Sequence, residues 1–186
     1  ATIRRQRQMC IRDRFITFDH IFNTPILIVV NKSQSFMEIK WVDTHCHLQL
    51  LNKNLDENHF KNIEFLVIPG VDVESSSKAK EISSSLEVES YWSAGLHPHD
   101  AKLLDTQRHD LEKLFVEADL IGETGLDFYR NLSTKEEQRE NFLFHLEFSK
   151  QLNKPIIIHC RDSFQDTYDL LVEFNNPSSV ILHSWT

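Results

Sequence analysis

Short apolar, β-rich runs alternate with polar segments of helical length along most of this chain, and that alternation limits the possible folds more than any single residue does. The runs occupy residues 39–48, 64–72, 89–99, 119–128, 154–163 and 179–185. Each is short and rich in β-branched or aromatic side chains, the pattern of a buried strand. Helices are expected between them, at Thr106 to Glu117, Ser133 to Asn153 and Ser163 to Phe174. The longest opens with Ser133 and Glu136, the spacing of a capping box. Glu74 to Ser85 predicts a weaker helix, because its serines are poor helix formers. Leu51 to Asn62 is short for a helix. Strands separated by helices pair in parallel, since parallel neighbours require a crossover connection.

The expected fold class is therefore α/β, a partial TIM (β/α) barrel with about six of the eight parallel strands of the closed form. Neither Gly-x-Gly-x-x-Gly nor a Walker-type phosphate loop occurs. Gly70, Gly95, Gly122 and Gly125 instead fall at or just past the ends of apolar runs, where such barrels build the rim of a site.

Four of the six runs carry a potential metal ligand towards their C-terminal end. His45 and His47 stand two apart in "VDTHCHLQL", so on a strand they share a face while Cys46 points the other way. Glu123 follows "LIG", His159 follows "PIII" and His183 follows "VIL". A lone His-x-His is weak evidence, and a single strand-end histidine is more often a satisfied core residue. The repetition is what counts. Polar groups ending buried runs need compensation, and closing the sheet brings them to one mouth. Four imidazoles and a carboxylate suit zinc, manganese or magnesium, and a carboxylate able to bridge makes two ions per chain the expectation.

Other residues admit two readings each. His97 and His99, stiffened by Pro98 in "GLHPHD", either contact substrate or shape the third loop. Arg161, two residues after His159, either reaches a phosphate or pairs with Asp127 or Asp162. Asp127 orients Arg161, caps a helix, serves as a ligand or is a structural loop carboxylate, and it is placed with Asp43 among the residues expected to support a metal ligand from behind. Asp43, two residues before His45, is expected to support a metal-bound histidine from behind. Cys46 and Cys160 are read as packing residues.

Taken in order, "DTHCHL", "GLHPHD", "IGETGLDFYR", "KPIIIHCRDS" and "ILHSW" resemble the TatD family of metal-dependent deoxyribonucleases, which belongs to the amidohydrolase-like TIM barrels. The resemblance runs from about Val42 to Thr186. It implies that His45, His47, Glu123, His159 and His183 occupy metal-binding positions. It also implies hydrolysis of phosphodiester bonds, notably at DNA 3′ ends, by metal-activated water. The family carries a further acidic residue after a seventh strand. That residue is expected beyond Thr186, so the chain is read as a C-terminally incomplete member, and catalysis by this fragment alone is in question. Relatives acting on C–N or ester bonds share the His-x-His, but many place a carbamylated lysine where Glu123 stands, which favours the nuclease branch. A truncated, non-enzymatic relic is the remaining reading.

Residues 1–36 differ from the rest. Their six cations against Asp13 and Asp19 give +4, so residues 37–186 carry −12 of the total −8. Met37 reads as the native start, and "RQMCIRDR" resembles a translated sequencing adaptor, so 1–36 is expected to be a non-native or disordered extension and 37–186 the hydrolase domain. The acidic balance of that domain favours short or single-stranded nucleic acid over long duplex. Cys10, Cys46 and Cys160 suggest no disulfide set, no export signal is clear, and no apolar run could span a membrane, which together predict a cytoplasmic protein.

Overall fold

Alternating burial along the strands decides which side chains face the helices and which face the inside of the curl. The computed structural model describes residues 39–51, 57–175 and 179–183. Six strands, β1 (Trp41–Asp43), β2 (Ile63–Pro69), β3 (Glu89–Ala94), β4 (Leu120–Asp127), β5 (Ile156–Arg161) and β6 (Val180–His183), pair in sequence order. All five pairings are parallel. The crossovers hold α1 (Val73–Ser85), α2 (Leu104–Glu117), α3 (Lys135–Leu152) and α4 (Phe164–Glu173). This is the expected partial barrel.

The main core lies between sheet and helices. Ile156 and Ile158 of β5 meet Leu111 and Phe115 of α2 and Phe142 and Leu146 of α3 there. Ile157, between them, points the other way, into a smaller cluster with Val67, Leu120 and Ile181. By the same two-residue period, His159 continues the face of Ile157, and His183 that of Ile181. The exposed Trp41 and Val42 at one edge and Leu182 at the other mark the ends of the open sheet.

Several expectations shift. The first run ends as a strand at Asp43, so His45 and His47 lie in the turn beyond β1 rather than on it. The third run stops at Ala94, and Pro98–Leu103 forms a 3₁₀ turn. Gly122 and Gly125 sit inside β4, not at its end. The capping box of α3 is Thr134 with Glu137, one residue later than expected: Glu137 N–H reaches Thr134 Oγ1 at 3.2 Å, and Thr134 N–H reaches Glu137 Oε2 at 2.7 Å. Ser133 is committed elsewhere, donating to the His99 carbonyl at 2.9 Å and accepting from Lys102 N–H at 3.2 Å. The extension expected over residues 1–36 lies outside the described residues. Among the described residues, no helix is long and apolar enough to cross a membrane.

Candidate metal centre

Glu123 reaches the mouth because β4 breaks its own alternation. Ile121 and Leu126 both join the helix-side core although five residues separate them, an odd spacing that a regular strand cannot give. The register against β5 shifts between Ile121 and Thr124. Gly122 (φ 114°) and Gly125 (φ 127°) carry the shift, and a Cβ on Gly125 would stand 2.1 Å from the His159 carbonyl oxygen. Without this irregularity Glu123 would share the helix-side face of Ile121. Such bulges re-aim side chains beside functional sites.

The carboxylate so presented is buried and ringed by histidines. Its Oε2 lies 3.2 Å from His45 Nε2 and 3.5 Å from His47 Nε2. Its Oε1 lies 3.1 Å from His159 Nδ1, 3.7 Å from His97 Nε2 and 3.9 Å from His183 Nε2. Two nitrogens bound about 2.0–2.1 Å from one tetrahedral ion stand roughly 3.3 Å apart, and the Nε2 atoms of His45 and His47 are 3.1 Å apart. Among the described residues, two groups have metal-binding spacing: His45, Glu123 and His183, and His97, Glu123 and His159.

Hydrogen bonds behind the rings decide which nitrogens are free. The Pro69 carbonyl accepts from His47 Nδ1–H at 3.1 Å, which leaves Nε2 with its lone pair facing Glu123. Asp127 Oδ2 lies 3.1 Å from His159 Nε2, leaving Nδ1 facing the carboxylate. His97 differs. Its Nδ1 accepts from His99 N–H at 3.2 Å, so its neutral ring carries the proton on Nε2 and offers a donor rather than a ligand atom. That argument sets His97 apart from its place in the second spacing group.

Charge follows the same geometry. Burial alone would raise the Glu123 carboxyl, but His45 and His183 and the hydrogen bonds from His159 and His45 hold it well below the usual range. Burial pulls His97 well down and takes His183 to about 3, so both rings are neutral. Burial also opposes charge on His159, yet its bonds to Asp127 and Glu123 carry it up to about 9.

Asp127, expected with Asp43 to support a metal ligand, bonds to two histidines of the mouth and not to Arg161. It is fully buried. Oδ2 accepts from His99 at 2.7 Å and from His159, while Oδ1 accepts from the Tyr129 and Arg130 N–H groups at 3.0 Å. Burial would raise its carboxyl, and the bonds from His159, His99 and Arg130 N–H hold it far below normal. Arg161 pairs with neither Asp127 nor Asp162. Its guanidinium carbon lies 4.0 Å from the Tyr129 ring centroid, and among the described residues it has no carboxylate partner. Asp43 Oδ1 accepts from His45 N–H at 3.3 Å, bracing the backbone of that histidine. Cys46 turns from the site and packs on the main core, as expected.

A polar seam on α3 escaped the sequence reading. Gln138 accepts from Asp127 N–H at 2.8 Å and donates to the Asp127 carbonyl at 3.1 Å. Asn141 donates to the Leu96 carbonyl at 2.7 Å, and His145 Nε2 accepts from Leu96 N–H at 3.0 Å. The end of β4 that carries Asp127 and the loop after β3 that carries His97 are thus gripped by one helix. The signal was the spacing 138, 141, 145, which puts polar residues on a helix's buried stripe.

Residues 42–186 match the family described as TatD related DNase. The chain belongs to the TatD family. It is 33% identical over 161 residues to an uncharacterized metal-dependent hydrolase of Buchnera aphidicola, covering 78% of this chain and 59% of that protein. It is 34% identical over 126 residues to the 3′-5′ ssDNA/RNA exonuclease TatD of Escherichia coli, covering 65% and 48%. Among solved structures, the TatD homologue YjjV of Escherichia coli aligns with a TM-score of 0.72 at 20% identity, covering 81% of this chain and 62% of that one. This TatD-family chain therefore spans about half to three-fifths of the relatives it matches.

Proposed function

We propose that this chain is the metal-binding part of a hydrolase that cleaves phosphodiester bonds at the 3′ ends of DNA or of short single-stranded nucleic acid. The observation that carries the reading is the placement of Glu123, with one oxygen facing His45 and His47 and the other facing His159 and His183. These five residues would hold two divalent ions, zinc, manganese or magnesium, with Glu123 between them. Bound there, the ions supply Lewis acidity towards a phosphoryl oxygen and acidify water.

The chain's own residues do the rest. Asp127 holds His159 and His99 in fixed orientation, and Asp43 braces the turn that carries His45. His97 Nε2–H and His99 line the mouth as contacts to substrate. Arg161, a cation without a carboxylate partner among the described residues, donates to a phosphate oxygen. The −12 balance of residues 37–186 favours a short local grip over extended duplex binding. The similarity to a protein named a 3′-5′ ssDNA/RNA exonuclease supports the same substrate class. A cytoplasmic setting fits a chain whose three cysteines follow no disulfide spacing.

The test is to incubate the chain, completed to the length of its relatives, with each of these ions and a 5′-labelled single strand. Shortening from the 3′ end that EDTA and Glu123→Gln both abolish is expected. Hydrolysis of cyclic amides alone would overturn the reading in favour of an amidohydrolase, and a chain that takes up no divalent ion would favour the non-enzymatic relic.

A further inference from the structure

The mouth has a second feature that the metal centre does not use. The Tyr129 ring is 58% exposed, although it follows the fully buried Asp127 by only two residues. Asp127 Oδ1 fixes the turn by accepting from Tyr129 N–H at 3.0 Å. The Arg161 guanidinium carbon lies 4.0 Å from the ring centroid, and Arg161 is the register partner of Asp127 across β4 and β5. A flat guanidinium stacked on an aromatic face keeps its N–H donors directed outwards around its edge. None of the described residues gives Arg161 an anionic partner, and its stacking on Tyr129 directs its donors around the ring edge, where an anion can meet them. The pair also sits close to Glu123. Asp127 bonds to both Tyr129 N–H and His159, and His159 is 3.1 Å from Glu123.

We infer that Tyr129 and Arg161 form a nucleotide subsite beside the Glu123 centre, in which Arg161 takes a backbone phosphate and the exposed part of the Tyr129 ring stacks on a base. This rests on the nucleic-acid reading above and adds to it the residues that grip one nucleotide. Stacking on an aromatic ring accepts any base, since every base has a π face, so the subsite selects single strands without selecting sequence. A paired base inside a duplex does not offer that face, which agrees with the absence of net positive charge on the domain.

The experiment measures binding of two fluorescein-labelled tetramers to the full chain in excess zinc by fluorescence anisotropy. One is a thymidine tetramer with phosphorothioate linkages, and the other has the same backbone without bases. Tyr129→Ala is expected to weaken the thymidine tetramer about tenfold and leave the abasic one unchanged. Tyr129→Phe keeps the ring and is expected to bind as wild type. Arg161→Gln is expected to weaken both probes, and Arg161→Lys to recover part of the loss, because an ammonium keeps charge without the planar fork. Equal binding of wild type and Tyr129→Ala to the thymidine tetramer would overturn the subsite while leaving the nuclease reading intact. Failure of wild type to bind either probe would overturn both.

Discussion

The His45 ring lies face to face with the His183 ring, centroids 3.4 Å apart and planes within 8°. β1 and β6 are opposite edges of the sheet, and the turn after β1 meets the end of β6 through these two histidines. The curl of the sheet is what assembles the candidate centre, and each half contributes nitrogen to the same carboxylate.

Asp127 supports the centre without facing its carboxylate. Asp127→Asn keeps the shape of the side chain and removes the charge that orients His159 and His99. Loss of such a supporting carboxylate typically lowers metal affinity about 10–100-fold. A competition titration against a chromogenic chelator is expected to show a fall in that range, with the far-UV circular dichroism unchanged.

His145 predicts acid sensitivity. It is fully buried on α3, and burial, with the Arg108 charge nearby opposing protonation, lowers its pKa to about 4 despite the bond to the Asn141 carbonyl. Phe115 and Phe144 complete its surroundings, and neither titrates. The neutral ring is the folded form, so the unfolded chain binds the proton first as pH falls. The contribution is whole above pH 6.5 and is lost between there and about pH 4. It amounts to about 3 kcal/mol at most. Urea unfolding across that range is expected to lose stability in wild type, and His145→Gln is expected to flatten the dependence.

The two candidate caps of α3 separate cleanly. Thr134→Ala removes the observed cap and is expected to cost about 1 kcal/mol of stability without changing metal affinity. Ser133→Ala releases the His99 carbonyl and the Lys102 N–H instead. Denaturant melts combined with metal titration check both: Ser133→Ala is expected to weaken ion or oligonucleotide binding, and Thr134→Ala is not.

How far the sequence announces this arrangement differs from element to element. The strand order and the placement of His159 and His183 follow from alternation and strand-end position, whereas His45 and His47 lie in the turn beyond β1, where two-residue alternation no longer applies. The inward turn of Glu123 does not follow from alternation, because two-residue periodicity puts it on the face of Ile121, and only the register shift at Gly122 reverses that. For Asp127 a supporting role is legible in the sequence, but its partners are not. Its partners, His99 and His159, are 28 and 32 residues away, and no local pattern reports such pairings. Capping signals were ambiguous because adjacent Ser133 and Thr134 each precede a glutamate at the same spacing.

Gly125 predicts the cost of closing that register shift. With φ at 127° and the His159 carbonyl oxygen 2.1 Å from any added Cβ, Gly125→Ala must push β4 from β5. The backbone strain and the clash together are expected to cost about 3 kcal/mol or more. Thermal melts should show the loss, and surviving folded protein should bind metal more weakly because Glu123 and His159 separate.

Anomalous diffraction from crystals soaked in zinc or manganese tests the central claim most directly. Two anomalous peaks on either side of the Glu123 carboxylate are expected, one by His45 and His47 and the other by His159, with His183 ligating one of them. No peak at Glu123 in a fully soaked crystal, or peaks confined to other surface residues, would contradict the account.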